Sequence, residues 1–247
     1  MFNESNLGLS HSEIDILNQQ FELENPQTIL NWALNHFGEK LTIATGFGIS
    51  GIVLMHMVSQ IQPQASFFYL QTDLLFPETM ALKNRLATEF NITFTEVHSN
   101  LRLDQQAKQY GPSLWRNDPD LCCHLRKVDP LRRHLTDKQA WITGLRRDQS
   151  PSRAQIKKIS WDAVNHLTKL APLADWSRDQ TWQYIRENNL PYNPLHDQGY
   201  PSLGCTVCTH KVKSDAAERS GRWAGQEKSE CGIHIQPDGT ITRKRKS

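Results

Sequence analysis

A chain of 247 residues with 38% hydrophobic residues carries enough apolar material for a large globular core. Its net charge of only +2 argues against a dedicated nucleic-acid binder, and no stretch approaches the ~18 consecutive apolar residues of a membrane span. The first twenty residues are polar with no signal-like apolar run, and five unevenly spaced cysteines do not form a secreted disulfide framework, so a cytoplasmic protein with reduced thiols is expected.

In chain order, Ser10-x-x-Glu13 is a capping-box pattern that opens a helix over 10–24, and Ile29, Leu30, Trp32, Ala33 and Phe37 make the apolar face of a second over 27–37. Leu41 to Thr45 is a short β-branched run that reads as a buried strand. It runs into Gly46-Phe47-Gly48-Ile49-Ser50-Gly51, after which 52–58 resumes as a helix. Strand, glycine-rich turn and helix present backbone N–H groups to a phosphate, although the turn matches neither GxxxxGK[ST] nor a clean GxGxxG, and a ligand-free tight turn is the alternative. Ser66 to Leu70 predicts a second strand, and Pro77 the first turn of a helix reaching about Phe90. A third strand is expected over 91–97, irregular chain over 98–120, and a fourth strand from Ala140 to Gly144. Alternating strands and helices imply an α/β fold, a mostly parallel sheet with helices on both faces, and ligands bound beyond the carboxyl ends of the strands. Farther on come a basic loop over 144–153, a short extended piece over 170–174, and a helix capped by Ser177-x-x-Gln180 that runs to about Asn188. Regular periodicity fades after Lys213, so residues 1–213 are expected to form the body and 214–247 a C-terminal arm.

The cysteines carry the chemistry. Cys122-Cys123 and Cys205-x-x-Cys208 make two pairs, the composition of a four-thiolate metal site, and leave Cys231 spare. A spare thiol is either a leftover tail cysteine or a nucleophile. Gly232 beside it allows close approach to a ligand, and a charged His234 near the sulfur would favour the thiolate. Positive charge is locally grouped at Arg146-Arg147, Lys157-Lys158, Lys211 with Lys213, and Arg219 with Arg222, candidates for binding an anion; Arg243 to Lys246 reads as a solvated tail.

Several stretches together resemble the assimilatory adenylyl-sulfate and phosphoadenylyl-sulfate reductase family. They are Leu75-Phe-Pro-Glu-Thr79, Cys122-Cys123-x-x-Arg126-Lys127-Val128-x-Pro130-Leu131, Trp141-Ile-Thr-Gly-x-Arg-Arg-x-Gln-Ser-Pro-Ser-Arg153, Tyr192-Asn-Pro-Leu-His-Asp197, Gly204-Cys205-x-x-Cys208-Thr209, Gly221-Arg222-Trp223 and Glu230-Cys231-Gly232-x-His234, in the family's order over about residues 40–235. The resemblance implies a Rossmann-like adenine-nucleotide α-hydrolase fold whose glycine-rich turn is a modified pyrophosphatase loop. It implies that the Cys231 thiolate attacks the sulfur of an activated sulfate, adenosine 5'-phosphosulfate (APS), and that thioredoxin or glutaredoxin then releases sulfite from an enzyme S-sulfocysteine. Lys127, Arg219, Arg222 and His234 would supply positive charge at the sulfate end. Thr45, Phe47, Gly48 and Ser50, with Arg146, Arg147 and Arg153, would face the nucleotide, although ordinary surface charge is an alternative for Arg147 and Arg153. Cys122, Cys123, Cys205 and Cys208 resemble the ligands of the family's [4Fe-4S] cluster, with structural zinc as the alternative, and a homo-oligomer is implied.

The chain departs from the family pattern in two loops. Thr45-Gly-Phe-Gly-Ile-Ser-Gly stands where Ser-Ser-Phe-Gly-Ala is usual, and Leu70-Gln-Thr-Asp where Leu-Asp-Thr-Gly is usual, which puts nucleotide contacts at Gln71 and Asp73 in question. Reduction of the 3'-phosphorylated substrate (PAPS), or of both substrates, is the alternative on the same scaffold. A tRNA sulfur-transfer enzyme of the same loop superfamily and a non-catalytic nucleotide sensor are the alternatives from other classes.

Overall fold

The computed structural model describes residues 8–213, 216–228 and 230–234. Helix α1 (His11–Glu22) starts on the expected capping box, with the Ser10 hydroxyl accepting the Glu13 amide and the Glu13 carboxylate taking the Ser10 amide. Helix α2 (Pro26–Phe37) begins on Asn25, whose side chain accepts from the Thr28 amide, with Pro26 where a missing N–H costs nothing. Then follow β1 (Leu41–Ile43), α3 (Ile49–Ile61), β2 (Ser66–Gln71), α4 (Pro77–Glu89) and β3 (Thr93–His98). The chain continues through α5 (Leu103–Tyr110), α6 (Leu114–Asn117), α7 (Pro119–Cys123), a π turn (His124–Val128) and α8 (Asp129–Leu135). It ends in β4 (Ala140–Ile142), β5 (Ile159–Asp162), β6 (Leu167–Leu170) and α9 (Arg178–Glu187), followed by short turns.

The strands form a four-stranded sheet, β1-β4-β6-β5, and a two-stranded sheet, β2-β3, joined by a parallel bridge between Ala44 and Phe68. All pairings are parallel except β5 with β6. Side chains alternate across the sheet with period two, so each strand feeds two cores. Phe67, Tyr69, Ala140 and Ile142 join the core with α1, α2, α3, α4 and α9. Phe68 and Trp141 face the other way, onto Leu131 and Leu135 of α8. The expected α/β sheet with helices on both faces is what forms.

Two expectations need correction. The stretch 98–120, expected to be irregular, contains α5 and α6 and the start of α7; α5 is polar and buries only Gln106, so it carries no apolar stripe to read. The piece expected to be extended over 170–174 is a turn beyond Leu170, and the extended chain lies before it, in β5 and β6, an antiparallel pair that closes the sheet edge.

Candidate active site

After β1 the chain turns to β2 and β3 on one side, and β4 lies on the other, so a crevice opens where β1 and β4 end, the usual ligand position in such sheets. The glycine-rich turn sits there. Its first helical residue is Ile49, and the Gly48 N-cap gives no side-chain cap, which leaves the first amides of α3 open to an anion. Gly144, after β4, packs against this turn; a Cβ there would stand 3.1 Å from the Ser50 Cβ and 3.2 Å from the Gly51 nitrogen. The cleft encloses about 250 Å³ and opens to solvent. Thr45, Gly48 and Ser50 border it as expected. Phe47 borders it too, but its ring is buried against Tyr69 and Phe94, at 5.2 and 5.3 Å between centroids, and its amide donates to Thr45 Oγ at 3.0 Å. With φ at +57°, Phe47 spends its side chain on anchoring the turn.

The basic loop divides. Arg153 borders the cleft. Arg146 does not: it is fully buried behind the turn, where it donates to Ser50 Oγ, Asp148 and Glu218. By donating to Ser50 it leaves that hydroxyl's own proton for another acceptor. Arg147 is turned away altogether, forked onto Glu22 of α1 at 2.7 and 2.8 Å and bonded to the Ile156 carbonyl. The expectation that it faces a nucleotide is therefore corrected: a carboxylate distant in sequence claims it. Lys158 is likewise spent, buried on the carbonyls of Glu22 and Glu24 and on Asp175.

The paired cysteines lie together beside the cleft, which Cys205 alone of the four borders. Cys122 and Cys123 come from the end of α7, Cys205 and Cys208 from a short turn, and all four are buried and free. Burial, with Cys205 and Cys208 nearby, pushes the Cys122 thiol up to about 11, and burial pushes Cys123 up to about 12. Cys205 goes the other way. Burial would raise it, but Lys127, a 3.3 Å contact with Thr72 Oγ, and Arg222 outweigh that and lower it. The same proximity acts back on Lys127: burial opposes its charge, yet Cys205, Cys231 and Cys123 together raise its pKa.

The π turn after Cys123 lets neighbours diverge, as such bulges do at functional sites. Lys127 lines the cleft, while Arg126 is buried and holds the Thr72 carbonyl, the Leu101 carbonyl, Gln106 and Asp73. Trp223 is buried among Cys123, Cys205 and Cys208, with the Arg222 guanidinium 4.7 Å from its ring centre. Arg222 also donates to the Leu203 carbonyl at 2.9 Å and lies so close over Gly204 that a Cβ there would overlap it.

Among the described residues no three or more Cys, His, Asp or Glu side chains stand as the ligand set of a single metal ion. The ligands of a multi-iron cluster stand farther apart, around its body. Four buried, disulfide-free thiols converging beside Lys127 and Arg222 fit that demand, since bound thiolates need positive charge nearby.

The described parts of the expected arm, 216–228 and 230–234, pack into this cleft. Cys231 is half-buried and lies against the cysteine group, within the field of Lys127 and Arg219. Arg219 borders the cleft and is paired with Glu230 at 3.1 Å; burial, with Arg153 nearby, pushes it down to about 10. His234 stacks on Trp141, with centroids 5.9 Å apart and planes at 12°, and meets Lys169 Nζ at 3.5 Å. Burial and the adjacent Lys169, Arg153 and Arg219 hold it well below the ordinary histidine value. The expected charged His234 is thus corrected to a neutral one: three cations already surround it. Lys169, absent from the sequence expectations, is itself pushed down to about 8 by burial. Arg243 to Lys246 lies outside the described residues.

Residues 40–211 match the phosphoadenosine phosphosulfate reductase domain. The chain belongs to that family. It is 50% identical over 230 residues to an adenosine 5'-phosphosulfate reductase of Salinibacter ruber, covering 93% of this chain and 91% of that one. It is 44% identical to adenosine 5'-phosphosulfate reductase 2 of Bacillus subtilis, over 89% and 94% of the two chains, and 44% identical to a phosphoadenosine 5'-phosphosulfate reductase of Gloeobacter violaceus, over 92% and 96%. Among solved structures, the phosphate complex of a phosphoadenylyl-sulfate reductase from Candida auris aligns with a TM-score of 0.72 at 30% identity, covering 84% of this chain and 100% of that one. An FMN adenylyltransferase of Candida glabrata, at 14% identity and a TM-score of 0.56, shares the fold alone.

In the second loop the departing residues bond to one another and to Arg126. Gln71 and Asp73 do not border the cleft. The Gln71 side-chain oxygen accepts the Asp73 amide at 3.1 Å, and Asp73, at φ +57°, pairs with Arg126 at 2.6 Å.

Proposed function

We propose that the chain reduces adenosine 5'-phosphosulfate to sulfite and AMP, with Cys231 as nucleophile. One observation carries this reading: a lone thiol borders the same cleft as an uncapped helix N-terminus, with Lys127, Arg153, Arg219 and Arg222 around it. A phosphate seats on the open amides of α3 and the Ser50 hydroxyl, with the adenosine toward the ends of β1 and β4. The sulfate end then lies toward Cys231. Two anions meet in that step, so fixed cations have to offset their repulsion, and Lys127, Arg219 and Arg222 are the groups for it. The Cys231 thiolate forms a bond to sulfur, the sulfur–oxygen bond to the phosphate breaks, and AMP leaves with that electron pair. A dithiol protein such as thioredoxin or glutaredoxin attacks Cys231 Sγ, sulfite departs, and the partner's second thiol returns Cys231 to the reduced state. The neutral His234 orients the tail by stacking and leaves the charge to the cations.

Cys122, Cys123, Cys205 and Cys208 would hold a [4Fe-4S] cluster. Bound there, it supplies a local electrostatic and structural element, while the electrons come from the partner. Lys127 and Arg222, already beside these thiols, would offset the charge of the thiolates.

Relatives bearing both substrate names stand at similar identity, so the 3'-phosphorylated substrate is the second reading. The deciding experiment is thioredoxin-dependent sulfite release with APS and PAPS side by side, on anaerobically purified, iron-loaded protein, with Cys231→Ser as the blank. Strong preference for APS is expected. Comparable use of PAPS favours the second reading, and release by the blank removes Cys231 from the role.

A further inference from the structure

Glu230 has no part in the chemistry just described, and a carboxylate is a poor neighbour for an anionic substrate. It is nonetheless only 4% exposed and immediately precedes Cys231. Arg153 grips it with a fork, Nε to Oε1 at 2.9 Å and Nη2 to Oε2 at 2.8 Å. Arg219 Nη2 adds a bond to Oε2 at 3.1 Å. A forked arginine–carboxylate pair fixes angle as well as distance, which a single bond cannot do. Arg153 belongs to the body, in the turn Pro151–Arg153, so the pair ties the tail to the body across 77 residues of sequence. On the other side of Cys231 the chain turns at Gly232, with φ at +84°, Ile233 packs on the core formed by Phe68, Leu131 and Trp141, and His234 stacks on Trp141. Cys231 therefore sits between two attachments, and the charged one is Glu230.

We infer that Glu230 is a positioning residue: its carboxylate, held by Arg153 and Arg219, is the peg that docks the tail and sets Cys231 over the glycine-rich turn. The inference rests on the proposed role of Cys231. The peg leaves Cys231 itself free of the pair, so it fixes where the sulfur stands without consuming it. It also holds two cleft cations in place when no substrate is present, which is the preorganisation that charge stabilisation requires.

The test reads docking apart from turnover. In the full-length, iron-loaded protein without substrate, the alkylation of Cys231 by iodoacetamide is timed by peptide mass. Glu230→Gln is expected to accelerate it about fivefold or more, and to lower kcat for sulfite release by about tenfold with KM within about threefold, because misplacement of a nucleophile acts on the chemical step. Glu230→Asp, which keeps the charge on a shorter arm, should fall between Glu230→Gln and the native protein. Alkylation of Glu230→Gln at the native rate overturns the peg, as does a raised KM with kcat intact. Should Glu230→Gln not fold, Glu230→Asp carries the test: faster alkylation than native supports the peg, and the native rate overturns it. A native protein that alkylates slowly at Cys231 but releases no sulfite would instead fault the proposed reaction.

Discussion

Arg147 and Arg153 stand in one basic loop and look alike in sequence, yet they do opposite things. Arg147 points outward to Glu22 and ties the loop to α1, with both partners partly exposed at 30% and 42%. Arg153 points inward, 8% exposed, borders the cleft and holds Glu230. Arg146, beside Arg147, is a third case, wholly buried with its charge divided between Asp148 and Glu218. The lesson is that a run of positive charge says nothing about which cation faces a ligand. That depends on which carboxylates the fold delivers to it.

Substitution should separate the three. Arg153→Met is expected to lower kcat/KM for sulfite release by about a hundredfold, through a lost cleft cation and a released peg, whereas Arg147→Met should stay within about twofold. Equal losses in steady-state kinetics would erase the distinction. In stability the order changes. Arg146→Met strands a nearly buried Glu218 and should cost about 3–5 kcal/mol in denaturant unfolding, against about 1 kcal/mol or less for the partly exposed Arg147–Glu22 pair.

A further effect concerns pH. The folded protein holds His234 neutral with a pKa below its ordinary 6.5. The unfolded chain takes up a proton near 6.5, so it binds more protons than the folded one between that value and the folded pKa. The stability contribution is present above pH 6.5 and is lost as pH falls, by at most about 1.4 kcal/mol per pH unit. His56, His134 and His196 are also held low, so the informative quantity is a difference. Urea midpoints at pH 7.5, 6.5 and 5.5 should fall more steeply for the native protein than for His234→Asn, and parallel slopes would leave the imidazole without that role.

The legible parts of the sequence were those written locally. The Ser10 and Ser177 caps, Pro77, and the buried runs of β1, β2 and β4 announce themselves by composition. Elements without an apolar signature did not: α5 is polar, and β6 carries Thr168 and Lys169 among its four residues. In the site, the five cysteines, Arg219 and Arg222 were readable by residue type and Lys127 by its place in the family motif; Cys205, Cys231, Lys127, Arg219 and Arg222 border one cleft, with Cys123 and Cys208 packed beside it. Arg146 and Arg147 were not, because Glu218 and Glu22 lie 72 and 125 residues away in sequence. Glu230 left a usable signal, an acidic residue directly before the spare Cys231, with Arg219 and Arg222 close by in sequence. A buried carboxylate there demands a partner.

The stack of His234 on Trp141 gives the tail an optical signature. Trp141 is 1% exposed, its indole donates to Asp162 at 3.1 Å, and Lys169 lies 5.1 Å from its ring centre. If the tail lifts, one face of this indole loses its cover and meets water. Its emission then moves to the red and becomes open to iodide quenching, while the core tryptophan surroundings are unchanged. Release of the tail from the body can thus be followed by light, with no label added.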